Sequence, residues 1–194
     1  MARRGACSAA ARRVRHAAAA PDVRPRARCE DPGAPRMSTV LRMIELHTGS
    51  AADLGAVEAV MDVAFDPRFG EAWTRSQCLG ILAMPGVWLT LARADGEVAG
   101  FALSRAILDE AELLLIATAP AFRRRGIGAA LLRSVVSEAR GRGVVKLHLE
   151  VRANNDAIAL YIANGFAKVG ERRGYYRGKT GQSYDAHSYA VALA

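Results

Sequence analysis

No apolar run among the 194 residues is long enough for a bilayer-spanning helix, and only three cysteines occur. The first absence excludes an ordinary transmembrane helix. The second leaves Cys7, Cys29 and Cys78 too few and too scattered for a disulfide framework or a metal-ligand cluster, so no metal is expected. Both point to a cytoplasmic protein. Aromatic residues are scarce, at 6%. Acidic residues are nearly missing from the first 36 positions, which hold nine arginines against Asp22, Glu30 and Asp31. Most of the net charge of +8 therefore belongs to this segment, and the rest of the chain is not expected to bind nucleic acid directly.

Residues 1–36 are rich in Ala, Arg and Pro and almost devoid of large aliphatic side chains. Such a segment buries too little apolar surface to offset its ordering entropy, and disorder is expected. A transit peptide is normally richer in serine than Ser8 alone, and Ala17–Ala20 is too short and weakly apolar for an export signal. The expectation is that translation begins at Met37 or Met43 and that residues 42–194 form one domain, acting as a monomer.

Within that domain, hydrophobic periodicity alternates between strand and helix. Arg42–His47 reads as a strand. Ser50-Ala-Ala-Asp53 and Thr74-Arg-Ser-Gln77 read as capping boxes opening two helices. Asp95-Gly96 joins two strands, Val87–Ala92 and Val98–Leu108, and Glu112–Thr118 follows as another. Ile127, Leu131, Val135 and Ala139 recur at helical spacing. Val144–Val151 alternates, Asn154–Asn164 is a short helix, and Phe166–Arg172 and Asp185–Ala192 close the chain around a polar loop, Gly174–Tyr184. The order βααβββαβαββ implies an α/β domain with a mixed, partly antiparallel sheet of six to seven strands and about four helices.

Two constellations carry chemistry. In the first, the apolar strand end Ile116, Ala117, Thr118 leads through Arg123-Arg124-Arg125-Gly126-Ile127-Gly128-Ala129 into a helix. Glycines let a ligand approach the backbone, and free amides with a positive dipole end suit a phosphate. The spacing is neither Gly-x-Gly-x-x-Gly nor a Walker sequence. It resembles the Arg/Gln-x-x-Gly-x-Gly/Ala signature of the GCN5-related N-acetyltransferase (GNAT) family, here Arg123-x-x-Gly126-x-Gly128. The second is Leu149-Glu-Val-Arg-Ala-Asn154 followed by Ala157-Ile-Ala-Leu-Tyr161 and Asn164-Gly-Phe166. It puts a carboxylate on the polar face of a strand and a phenol one short helix later. Acetyl transfer to an amine needs those groups as base and acid.

Residues 112–176 resemble the bacterial ribosomal-protein alanine N-acetyltransferases of that family. The resemblance implies the GNAT fold and acetyl-CoA as co-substrate. Its contacts would come from Ile116, Ala117, Thr118, Arg124, Arg125, Gly126, Ile127, Gly128, Ala129 and Asn154. It implies Glu150 as general base, Tyr161 as general acid, direct transfer in a ternary complex, and the N-terminal alanine of a ribosomal protein as acceptor. The turn after Arg152 is one residue shorter than in the family, so Asn155 competes with Asn154 for the cofactor role. Glu112 is the alternative base, and His148 shares the face of Glu150. Cys78 reads as a small core residue. Phe65, Phe69 and Trp73 read either as a packed loop or, with Tyr175 and Tyr176, as walls of an acceptor groove. A small amine or another peptide as acceptor, and a non-catalytic acyl-CoA-binding module, are the competing functions. Intact-mass analysis of the native protein is expected to give a chain starting at Met37; a mass that includes residues 1–36 refutes that start.

Overall fold

The computed structural model describes residues 43–178 and 181–193. The expectations for residues 1–36 and for the start at Met37 lie outside them. Among the described residues, seven strands form one sheet in the order β1-β2-β3-β4-β5-β7-β6. The strands are β1 (Glu45–Gly49), β2 (Val87–Ala94), β3 (Glu97–Ile107), β4 (Glu110–Thr118), β5 (Lys146–Arg152), β6 (Ala167–Arg177) and β7 (Ser183–Ala192). The helices are α1 (Leu54–Ala64), α2 (Arg75–Leu82), α3 (Ile127–Gly141) and α4 (Ile158–Ala163). Only β4 and β5 pair in parallel. This is the mixed α/β sheet expected from the element order.

Local sequence explains most boundaries. Ser50 and Thr74 close both expected capping boxes, with Asp53 and Gln77 reaching back to the cap amides. The stripe of α3 is buried at Ile127, Leu131, Leu132, Val135 and Ala139, packed with Leu147, Leu149 and Val151 of β5. Each such side chain is worth about 1.5–3 kcal/mol of burial. The opposite face of the sheet packs Phe101, Leu89, Leu91 and Leu103 against Leu54, Val57, Val60 and Met61 of α1, with Cys78 of α2. Cys78 is a core residue, as expected, and burial pushes its thiol up.

Two readings need correction. The first strand begins at Glu45, three residues later than Arg42. The loop expected over Gly174–Tyr184 is mostly strand: β6 and β7 extend into a long hairpin, with Tyr176 opposite Tyr184 and Arg177 opposite Ser183. Arg173 and Gly174, just before the tyrosines, disguise it, because the ladder shifts register between Arg172 and Tyr176, with Gly174 in the left-handed region.

The hairpin end meets the segment between α1 and α2 backbone to backbone. A Cβ on Gly70 would lie 2.1 Å from the Arg177 carbonyl oxygen, and one on Gly178 would lie 2.0 Å from that of Arg68. Beside them Phe69 and Tyr184 meet edge to face, with ring centroids 5.1 Å apart. This junction lets no side chain in. Gly178→Ala is expected to lower stability by roughly 1–3 kcal/mol, as overpacking against a fixed carbonyl does. Gly80→Ala, on α2 with nothing within 4 Å of its new methyl, is expected to be neutral or stabilising. Denaturant midpoints compare the two; equal values would remove the junction's structural role.

Candidate active site

The site begins where a ladder stops. β4 and β5 are in register from Glu110/Lys146 to Leu113/Leu149. Beyond that pair β4 runs on to Thr118 and β5 to Arg152 without a rung between them. At the same point the β3–β4 ladder steps from Ser104/Leu113 to Leu103/Leu115, so Leu114 is an extra residue on β4. A bulge of this kind bends its strand, and here it coincides with the separation from β5. The strand end Ile116, Ala117, Thr118 keeps its β3 partners, Ala102, Phe101 and Gly100, and turns its other edge to the opening. Glu150, Val151 and Arg152 line the far side, backed by Ser188, His187 and Ala186 of β7.

The turn after β4 closes one end. Arg124 and Gly126 both adopt left-handed backbone, with φ of +61° and +83°. Gly126 is the N-cap of α3, and no side chain caps it. The first-turn amides of Ile127, Gly128 and Ala129 are thus left for a ligand rather than for a side-chain oxygen. Gly128 sits over the end of β4 and against α4; a Cβ there would lie 3.3 Å from Leu160 Cδ2 and 3.7 Å from Thr118 Oγ1.

The three arginines have separate tasks. Arg123 donates to the carbonyls of Thr118, at 3.4 Å, and Ala64, at 3.0 Å, and so ties the turn to the end of α1. Arg125 pairs with Asp95 at 2.6 Å and lies over the Phe122 ring. Arg124 is exposed, and its backbone geometry rather than its charge shapes the turn.

Glu150 is a half-buried carboxylate, with 17% of its side chain exposed. Its Oε1 accepts from Ser188 Oγ at 2.8 Å and lies 3.5 Å from Arg172 Nε. Its Oε2 is buried and has no partner. Buried carboxylate oxygens seldom go unsatisfied, so this one retains an acceptor that no protein donor uses. Tyr176 donates to the Glu150 backbone carbonyl at 3.3 Å.

Tyr161 is 4% exposed, between Phe166 and Tyr189. Burial, with the Glu71 carboxylate adding to it, holds its phenol protonated far above the usual range. Tyr176 is pushed up too, first by burial, then by Glu71, with Glu150 and Tyr161 also contributing. These four residues therefore share one electrostatic neighbourhood. Glu112 stands where the ladder is still closed, in register with His148. His148 itself lies 3.3 Å from Glu110, away from Glu150.

Sequence reasoning missed Glu71. Its carboxylate takes Arg152 Nε at 3.3 Å and Asn155 Nδ2 at 3.2 Å. Arg152 also donates to Asn154 Oδ1 and lays its guanidinium 3.6 Å from the centroid of Phe69. Asn155 Oδ1 accepts from the Ala157 amide at 2.9 Å, where the chain enters α4. Both asparagines thus have intramolecular partners. Alternation assigns Arg152 to the polar face of β5; it is buried there because Glu71 and Phe69 arrive from 81 and 83 residues away. Of the expected groove walls, Phe69 and Tyr176 reach the site, and Tyr175 packs on Tyr176 at 5.0 Å. Trp73 belongs to the α1 core instead, with its amide 3.3 Å from Met61 sulfur.

Residues 56–166 match the profile of the acetyltransferase (GNAT) family, more than half of the chain. The chain belongs to that family. It is 41% identical over 144 residues to the N-alpha-acetyltransferase RimI of Mycobacterium tuberculosis, covering 72% of this chain and 86% of that protein. It is 46% identical over 102 residues to the [ribosomal protein bS18]-alanine N-acetyltransferase of Salmonella typhimurium, covering 52% of this chain and 66% of that protein. The match to the Escherichia coli protein of the same name is 48% over 83 residues, which is 42% of this chain and 56% of that protein. The chain thus spans just under two thirds of the first of these two and little more than half of the second. The crystal structure of the ribosomal-protein-S18-alanine N-acetyltransferase from Escherichia coli superposes with a TM-score of 0.70 at 33% identity, covering 78% of this chain and 95% of that one.

GNAT proteins use acetyl-CoA, and this site fits it: an uncapped helix start for phosphate, an open strand edge for an amide-bearing chain, and a carboxylate with one unpartnered oxygen on the neighbouring strand. The raised phenols also have a consequence for stability. The unfolded chain ionises Tyr161 and Tyr176 near pH 10, below their folded values, so stability is full below about pH 10 and falls as pH rises further. Denaturant titrations across the alkaline range are expected to show this fall, with a shallower slope in Tyr161→Phe. An unchanged slope would mean that the phenol ionises as if exposed.

Proposed function

We propose that this GNAT protein is an acetyl-CoA-dependent Nα-acetyltransferase whose acceptor is the N-terminal alanine of a ribosomal protein. The observation that carries the reading is the buried, unpartnered Oε2 of Glu150, on the stretch of β5 that has left the β4 ladder. The similarity to relatives named for alanine N-acetylation supports the choice of acceptor.

Acetyl-CoA supplies the acetyl thioester. Its pyrophosphate lies on the turn, held by the amides of Arg124, Arg125, Gly126, Ile127, Gly128 and Ala129. Its amide-bearing arm runs along the free edge of Ile116, Ala117 and Thr118, as an added strand does. Asn154 contacts the same molecule through its side-chain amide nitrogen, since its oxygen is taken by Arg152. Asn155 is committed to Glu71 and to the entry of α4, which favours Asn154 for this role.

Glu150 accepts a proton from the acceptor's α-ammonium through Oε2 while Ser188 and Arg172 steady Oε1. The freed amine attacks the thioester carbonyl directly, a new C–N bond forms, and the C–S bond breaks. Tyr161, kept protonated by burial, gives its proton to the departing thiolate, and the second proton that the nitrogen sheds as the amide forms restores the phenol. No acyl-enzyme is needed. The hairpin β6–β7 and the segment between α1 and α2 flank the acceptor, with Phe69, Tyr175 and Tyr176 as its walls.

Purified protein with acetyl-CoA and an alanine-initiated peptide is expected to give the mono-acetylated peptide. Glu150→Gln is expected to lower kcat/KM at least about a hundredfold, the scale of a lost general base. Tyr161→Phe is expected to lower kcat with the acetyl-CoA affinity kept. Equal turnover of a free small amine would replace the peptide by that amine class. Acetyl-CoA binding without transfer to any acceptor would make the protein a sensor.

A further inference from the structure

Resting on that reading, we infer that Glu71 and Arg152 are positioning residues: their ion pair fixes the acceptor wall and the start of α4 relative to the strand that carries Glu150. Neither is assigned a part in binding or chemistry above. Yet Arg152 stands two residues beyond Glu150 on the same strand and makes three different contacts with one planar group. Its Nε meets Glu71, its Nη1 meets Asn154, and its flat face covers Phe69. A lysine ammonium has neither the fork nor the face for that combination.

Glu71 extends the connection. The same oxygen that takes Arg152 also takes Asn155, whose side chain in turn receives the Ala157 amide at the head of α4. Tyr161 follows on the first turn of that helix. One carboxylate therefore links the segment between α1 and α2, the end of β5 and the turn into α4. The base and the acid come from the last two of these, and the acceptor wall from the first. The shortened turn Arg152-Ala153-Asn154-Asn155 is anchored at three side chains rather than left to its own conformation.

Energetics argue that the pair is present for geometry. Only 10% of the Arg152 side chain and 9% of that of Glu71 are exposed. Two desolvated charges gain little over apolar side chains of the same volume, whereas their hydrogen bonds fix direction. Such a pair is suited to holding elements in register rather than to adding stability.

Three variants test this: Glu71→Gln, Arg152→Lys, and the double Glu71→Gln/Arg152→Gln, which leaves no unpaired buried charge and so keeps the fold. Each is compared by acetylation of an alanine-initiated peptide and by amide hydrogen exchange. Each single variant is expected to lose roughly ten- to a hundredfold in kcat/KM for the peptide, the scale of an ångström of misplacement. The KM for acetyl-CoA should rise by less than the peptide loses, since among the acetyl-CoA contacts proposed above only Asn154 leans on Arg152, and the double should lose less than the product of the singles. In all three, residues 65–74 and 154–161 should exchange faster while β2 and β3 do not. Wild-type exchange in those two segments, or a uniform rise through the whole domain, overturns the inference. If the wild type acetylates nothing, the function proposed above fails, and the exchange pattern still decides the positioning role.

Discussion

Backbone hydrogen bonding between β4 and β5 is the constraint on which the molecule turns. Four residues pair, and then two strands at the centre of a seven-stranded sheet go their own ways. An interrupted ladder in a sheet interior leaves backbone donors and acceptors that the missing neighbour strand does not meet. The surrounding structure stabilises the gap. The bulge at Leu114 bends one strand, while β7 backs the other through Arg152. The helix α3, starting just past the end of β4, keeps the two sides joined through a buried stripe on β5.

Charge in the site is arranged by burial rather than by abundance. The three consecutive arginines of the turn look like an anion trap, yet two of them are spent on carbonyls, a carboxylate and a ring. The groups left free to take an anion are amides at an uncapped helix start. Conversely, the carboxylates that matter are enclosed. Glu150 keeps one oxygen unsatisfied. Glu71 has its negative charge balanced by one arginine, and it adds to the burial that keeps two phenols protonated.

What could be read in the sequence was what lies close together along the chain. The Arg123-x-x-Gly126-x-Gly128 turn needs only a dozen neighbouring residues. Glu150 and Tyr161 are linked by one strand end and one short helix, so alternation and helical spacing place both. The family resemblance adds their roles. Glu71 left no such trace, because a single glutamate in a linker has neither periodicity nor motif, and its partners lie 81 and 84 residues on. Arg152 was assigned to a solvated face for the same reason. The extension of β6 and β7 was hidden by a register shift that breaks alternation where the tyrosines begin. Gly70 and Gly178 carry no local motif, because what requires glycine there is the approach of two backbones far apart in sequence.

That contact has a bearing on how such a site can be altered. Two connections far apart in the sequence meet through carbonyls and missing side chains, so neither has slack of its own. Lengthening the linker after α1, or exchanging the tip of the hairpin, would push directly on the other. Moving either segment into another scaffold therefore calls for both pieces to travel together, as a matched pair. Point substitutions in the groove walls, which leave the two glycines alone, are the changes that one piece can accept by itself.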